Sequence, residues 1–373
     1  MSVDQYTELI DSILSRDDVN KSLSLSYNLS FDIISQVLGA NIRYTHIEDQ
    51  IEERFPSSSF INKKFNTINY GLTFRGLKII KILYSTSDNR LPIHYFSSRL
   101  NDNDPMNLSS GNPDLKMGKT HQVDIQFVNL LKYLNDFRMN YQYITNPVLY
   151  VRHYFPENTS LSEYSNYEVL AGATLSRPIH AKDYHQFDFR CQYASKRGAI
   201  LWRSTVAYNF ENPNIDILGT LWDSKRNIVR GSLVLNSNFS PSVRLDVQYG
   251  VSYNCLSVSG NSDYDNAIVG HDLTCNAHLQ LLGRCFFRAN YNYKNSYNTR
   301  LKRTQQINRL DASLDFRVFS DRKGVISLNA RNVFNSRPSI TETVEDLGMR
   351  SVYNPTNSTL FTVSFKYKFG VEQ

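Results

Sequence analysis

The sequence predicts an all-β fold, a transmembrane antiparallel up-and-down β-barrel of about seventeen strands, and three observations predict it. Segments of roughly ten residues alternate apolar and polar side chains with a period of two. Aromatic residues make up 13% of the chain, with 24 Tyr and 21 Phe, although hydrophobic residues reach only 41%. Short connections between the alternating segments take turns with long ones, as the two ends of such a barrel require.

The bulk properties fit this reading. The chain has 373 residues, enough for one large domain. Its mean hydropathy of -0.42 would suit a protein in water. It holds no run of about 18 apolar residues, so no transmembrane helix is expected. Strands with one greasy and one wet face reconcile a polar average with many aromatics. The net charge of +6 is dispersed, with acids among the basic residues, so no nucleic-acid face is expected.

Near the start, Leu23, Leu25, Tyr27, Leu29 and Phe31 alternate with Ser24, Ser26, Asn28 and Ser30. The split recurs at Val243, Leu245, Val247, Tyr249, Val251 and Tyr253, set against Arg244, Asp246, Gln248, Ser252 and Asn254. Leu310, Ala312, Leu314, Phe316 and Val318 face away from Arg309, Asp311, Ser313, Asp315 and Arg317. At the end, Phe361, Val363, Phe365, Tyr367 and Phe369 oppose Thr362, Ser364, Lys366 and Lys368. Strands are expected near 22–32, 38–50, 65–75, 77–87, 119–129, 134–146, 165–176, 183–195, 200–210, 214–222, 227–239, 242–254, 267–281, 284–297, 307–319, 323–335 and 359–369. Residues 21–370 form the partial barrel domain, and 1–20 are a lead-in.

The links at Arg75-Gly76, Phe239-Ser240-Pro241, Leu282-Gly283 and Asp321-Arg322-Lys323 are short. Those at 51–64, 88–118, 147–164, 255–266, 298–306 and 336–358 are long. Short turns belong at the periplasmic end and long loops outside. An odd number of antiparallel strands cannot close on itself, so further strands are expected before residue 20. The opening MSVDQYTELIDSILSRDDVN carries acids and no apolar core, which is unlike a signal peptide. A truncated, split or cropped chain is the expectation.

Between residues 99 and 118 a motif emerges. Arg99-Leu100-Asn101-Asp102-Asn103-Asp104-Pro105-Met106-Asn107-Leu108 precedes Gly111-Asn112-Pro113-Asp114-Leu115-Lys116. This resembles the DP-L-N step and GNPDLKPE run of the outer membrane protein beta-barrel family, TonB-dependent-receptor-like proteins of Bacteroidetes. Met117-Gly118 stands where the family carries Pro-Glu. Asn332-Val333-Phe334-Asn335 is similar to the NVFN of the penultimate strand, and Phe361, Val363, Phe365, Tyr367 and Phe369 to the terminal assembly strand. The resemblance covers most of residues 20–370. It implies the C-terminal part of a barrel of about 22 strands with the plug absent, set in the outer membrane. The implied function is nutrient import. The implied partners are outer-membrane lipid, the barrel assembly machinery, an extracellular ligand and, with the N-terminal part supplied, a plug domain and a TonB-type coupling protein.

Other chemistry is sparse. Cys191, Cys255, Cys275 and Cys285 have no zinc-ligand spacing, so no metal is expected. Three of them share the apolar parity of their strands and read as small hydrophobes, with a Cys275–Cys285 bridge as the alternative. The Arg309/Asp311, Asp315/Arg317 and Arg244/Asp246 pairs read as a hydrated lumen network. No catalytic motif occurs, no cofactor is expected, and the chain is not expected to be an enzyme. Trp202, Trp222, Tyr291, Tyr293 and Tyr367 read as interfacial girdle residues, with a sugar-stacking platform as the alternative. Beside the receptor reading stand a plugless outer-membrane pore or structural or adhesive barrel, and a soluble all-β interaction protein.

Overall fold

Strands account for nearly all of the regular structure. A computed structural model describes residues 2–3, 18–34, 37–53, 59–76, 79–131, 134–164, 166–240, 242–281, 283–319, 324–334, 339–345, 348–354 and 358–367. Fifteen long strands carry the fold: Asp18–Ile34, Leu38–Glu53, Ser59–Gly76, Ile80–Asn89, Gly118–Leu131, Leu134–Thr145, Tyr184–Arg197, Ile200–Glu211, Thr220–Ser240, Val243–Val258, Asn266–Leu281, Cys285–Asn298, Arg303–Val318, Gly324–Arg331 and Leu360–Tyr367. With the short Ser2–Val3 and Asn214–Ile217 they make a large antiparallel sheet of 17 strands. Among the described residues helix is confined to three short 3-10 turns, and no helix is long and apolar enough to cross a membrane.

The chain packs as two compact units. The first holds Met1–Phe127, Met139–Phe187 and Glu211–Ser224; the second holds Val128–Arg138, Asp188–Phe210 and Lys225–Gln373. In the first, register alone separates two faces. Leu29, Ile42 and Tyr70 lie opposite one another on three successive strands, as do Phe31, Ala40 and Leu72, and Tyr27, Tyr44 and Ile68. The alternate rows are Asn28, Arg43 and Asn69, and Ser26, Thr45 and Thr67. Ile42, Ile68, Leu29 and Leu72 are exposed.

The second unit repeats the division. Leu245, Ala277, Ala289, Ala312, Ala330 and Phe361 form one row, and Val247, Cys275, Tyr291 and Leu310 the next on that face. The opposite face carries Arg244, His278, Arg288, Ser313, Asn329 and Thr362 in one row and Asp246, Asn276, Asn290 and Asp311 in another. Phe361 is 72% and Val363 75% exposed. The apolar side chains of the long strands are thus turned outward, the reverse of a water-soluble sandwich.

The structure corrects two expected spanning strands. Within 165–176, Tyr167–Val169 pairs with Thr159–Leu161, and Thr174–His180 pairs with Val148–Tyr154 in a separate four-stranded sheet. Their apolar residues pack inward on one another, so alternation is real there but its burying partner is protein. The expected 214–222 strand is broken by a tight turn, with Leu218 at φ 52° and Gly219 at φ 85°. Asn214–Ile217 folds back on the start of Thr220–Ser240.

With both removed, the short links fall at every second connection. The long excursions 90–117, 146–183 and 332–359 all lie in the other set. Strands also run past the expected ten residues: Ser59–Gly76 has 18 and Thr220–Ser240 has 21. The expected loop 51–64 is shortened because pairing continues where the outward residues turn polar, as at Glu48 opposite Lys64, which form an ion pair of 2.9 Å. The expected 323–335 strand stops at Arg331, since Asn332 takes φ 50° and leaves the extended region. Phe369 and Asn335 lie outside the described residues.

Candidate functional site

The long excursions of the first unit build a folded cap of their own. Leu100–Asn101, Asn107–Ser110, Thr174–His180 and Val148–Tyr154 form a four-stranded sheet, in which Asn107–Ser110 runs parallel to Thr174–His180. Leu108, Phe155, Val169 and Ala173 are buried together, with Leu100, Leu161, Tyr167 and Leu175 packed around them. Burying such side chains stabilises by about 1.5–3 kcal/mol each, which lets a short chain excursion hold a fixed shape.

The resemblance motif is what shapes this cap. Asp104, Pro105, Met106 and Asn107 form a turn closed by Asn107 N donating to Asp104 O at 3.0 Å. The Asp104 carboxylate accepts from the Met106 amide at 2.9 Å and from Asn107 Nδ2 at 2.8 Å, and these bonds hold its pKa below the usual carboxylate value. Pro105 supplies the fixed φ at the second position. The same device recurs at Asn112 and Pro113: the Asp114 amide donates to Asn112 Oδ1 at 3.0 Å, and Leu115 N to Asn112 O at 3.4 Å.

The remaining motif residues fasten this loop. Gly111 N donates to Ser97 O at 2.7 Å and Asn112 N to Tyr95 O at 2.6 Å. A Cβ on Gly111 would run into the carbonyls of His94, Tyr95 and Ser97, so only glycine fits. Asn112 Nδ2 donates to Pro178 O at 3.1 Å, and Lys116 N to His180 Nε2 at 2.8 Å. Leu115 is buried. Lys63, from Ser59–Gly76, donates to Pro113 O at 2.8 Å and stands over the Phe96 ring. Gly118 packs on the carbonyls of Thr145 and Asn146, which stand 2.6 and 2.8 Å from the place of a Cβ.

Asp216 and Arg90 also tie the cap to neighbouring elements of its own unit. Asp216, fully buried, accepts from the Arg152 amide at 2.7 Å and from Gly219 N at 2.9 Å. Arg90 donates to Asp49 Oδ1 at 2.6 Å and to Ser22 Oγ at 2.7 Å. On the cap, His94, Tyr95 and Tyr150 make edge-on ring contacts at 4.9 and 5.2 Å. Burial holds the His94 imidazole below its ordinary pKa, and burial with the Tyr95 bond pushes the Tyr150 phenol up.

The polar face of the second unit is a network, as the Arg/Asp pairs suggested. Arg309 bonds Asp311, Arg244 bonds Asp246 at 3.0 Å, and Arg288 bonds Asp315. Among the described residues no carboxylate bonds Arg317, which stacks on Phe286 at 4.4 Å. Clefts of about 470 and 340 Å3 open on this face. All four cysteines are free. Cys275 lies opposite Tyr291 and Cys285 opposite Leu281, several residues apart along the strands, so no bridge joins them. Among the described residues no group of three His, Cys, Asp or Glu could hold a metal.

The aromatic residues read as a girdle, with a platform as the alternative, do not gather into a platform. Trp202 packs on Tyr193, Tyr291 on Phe334, and Tyr367 on Phe319, while Trp222 lies opposite Ile215. Sequence reasoning missed a denser feature in the first unit. Tyr70, Tyr84, His121, Tyr143, His185 and Tyr141 form an unbroken ribbon of rings with successive centroids 4.9–6.5 Å apart. Tyr84 Oη bonds His121 Nδ1 at 3.0 Å, Tyr141 Oη bonds His185 Nδ1 at 2.7 Å, and Tyr143 Oη donates to Asp183. A signal existed: each residue has the apolar parity of its strand, and His121, Tyr141, Tyr143 and His185 lie near the long-link ends of theirs. Tyr249 and His271 form a like pair in the second unit at 3.0 Å.

No protein-family model and no curated protein matches the chain. Among solved structures, one of the FpvAI–pyocin S2 complex aligns with a TM-score of 0.41 at 11% identity, over 95% of this chain and 50% of that one. In-vitro folded OmpT, an outer membrane protein of Vibrio cholerae, aligns at 0.32 and 9%, over 95% and 99%. The outer membrane transporter YddB from Escherichia coli aligns at 0.25 and 8%, over 95% and 76%. This chain spans about half the length of the FpvAI-complex chain it matches. At such identity function has to come from the residues themselves.

Proposed function

We propose that this chain is the C-terminal barrel part of an outer-membrane, TonB-dependent receptor-like transporter for nutrient import. One observation carries the reading. The long strands turn Leu29, Ile42, Ile68, Val251, Phe361 and Val363 outward, and their polar residues to the other face. In water each exposed large side chain forgoes about 1.5–3 kcal/mol of burial, whereas lipid returns it. The ribbon from Tyr70 to His185 suits the headgroup depth, where rings with one polar edge are favoured. The cap suits an outer loop cluster that meets an extracellular ligand.

In this reading the strand that carries Phe361, Val363, Phe365 and Tyr367 is the one recognised by the barrel assembly machinery. Energised import also requires a plug and a TonB-type coupling protein. The barrel itself carries out no catalysis.

The test is extraction and sedimentation of the full chain. It is expected to sediment with outer membranes and to stay monodisperse and β-rich only in detergent or lipid. A stable, monomeric preparation in plain buffer would overturn the reading.

A further inference from the structure

We propose that the polar face of the second unit carries a binding site for a small organic oxyanion, one with a phosphate or carboxylate group beside an apolar ring. Arg244, His278 and Arg288 lie directly opposite one another on three adjacent strands. Opposed residues sit about 4.5–5.5 Å apart at Cβ, so the two arginine side chains flank the imidazole on one face. On the same face, Arg317, Val325 and Lys366 form a further row.

The local charges do not cancel. Arg244 and Arg288 are matched by Asp246 and Asp315. Arg317 and Lys366 add positive charge beyond those pairs, and His278 stands between the two arginines. The cleft of about 470 Å3 is lined by Arg244, His278, Arg288, Arg317, Asp315 and Phe286. The Arg317 guanidinium lies over the Phe286 ring at 4.4 Å. A guanidinium stacked in this way keeps donors in its plane for an oxyanion, and the fork suits carboxylate or phosphate. Phe286 gives the ligand's apolar part a surface. The cavity is larger than an inorganic ion needs, which favours an organic anion.

This inference rests on the sheet face and its charges, and it reaches beyond transport to the chemistry of a ligand. Phenyl phosphate is the probe, titrated by calorimetry into the full chain folded in detergent micelles, with inorganic phosphate and uncharged benzyl alcohol alongside. Saturable binding is expected for phenyl phosphate, weaker binding for inorganic phosphate and none for benzyl alcohol. Arg317→Gln and Arg288→Gln are each expected to weaken it about tenfold or more, the loss of one charge-assisted contact. Arg309→Gln, in a neighbouring network outside the cleft, should change it less than about twofold. Competition by sulfate in the unaltered chain gives a second measure that needs no variant. Absence of saturable binding, equal binding by benzyl alcohol, or no competition by sulfate would overturn the site. A chain that proved monomeric without detergent would overturn the membrane reading, while the same titration in buffer would still decide the site.

Discussion

The cap and the strands of the first unit use the same alternation to opposite ends. In the cap, Leu108, Phe155, Val169 and Ala173 turn inward and bury one another. Along Leu38–Glu53 and Ser59–Gly76, Ile42, Tyr44, Ile68 and Leu72 turn outward and stay exposed, while Ile47 and Asp49 are buried. Period two therefore identifies a strand without saying what lies beyond its apolar side. The medium has to be read from what the side chains meet.

Four substitutions or titrations break or sharpen this contrast. The largest effect is expected from Phe155→Ala, which empties the cap core at about 3–5 kcal/mol. Hydrogen exchange should show lost protection in Val148–Tyr154 and Thr174–His180, with Leu38–Glu53 unchanged. Uniform loss across the sheet would mean that cap and strands are one cooperative body. Next, Ile42→Arg places a charge on an already exposed site, where a protein in water would tolerate it. In lipid vesicles it should cost about 2–4 kcal/mol in urea unfolding. Asn41→Arg on the other face should cost much less, and equal costs would erase the distinction between faces.

A smaller loss, roughly 1–3 kcal/mol, is expected for Gly111→Ala, because the new methyl meets three carbonyls. It should free the Asn112 amide to exchange and leave the long strands alone. The smallest effect is a pH dependence at Asp104, whose folded pKa is depressed by its bonds to Asn107 and to the Met106 amide. Its contribution is present above the unfolded pKa and is lost as pH falls through the folded one. The protection of the Met106 amide, its exchange rate compared with the intrinsic rate at the same pH, should therefore fall in acid, and Asp104→Asn should flatten that dependence.

Much of the architecture was legible because strand parity and link length are local properties. Leu23 to Phe31 and Val243 to Tyr253 lie on strands where alternation placed them. What misled was context. Tyr167, Val169 and Leu175 look like lipid-facing residues until the tertiary contacts with Leu108 and Phe155 are known. Ile215, Ile217 and Leu221 likewise alternate, yet Leu218 and Gly219 reverse the chain among them.

The motif from Asp104 to Lys116 was visible as a motif, but its work was not. The amides it serves at Met106 and Asp114 are local, whereas Pro178 and His180 are more than 60 residues away. The ring ribbon escaped for the same reason: its members come from five strands. No sequence window contains them.

Arg90 opens the long 90–117 excursion and grips Asp49 and Ser22, which face each other across two paired strands. Asp49 is only 5% exposed in its side chain, so its charge has little water to fall back on. Tension applied to the excursion thus enters the wall through a side-chain cross-tie as well as through the backbone at Asn89. Parting the tie would strip a sunken carboxylate of its counter-charge. Under load, the rim of these three strands should yield in one step, not peel.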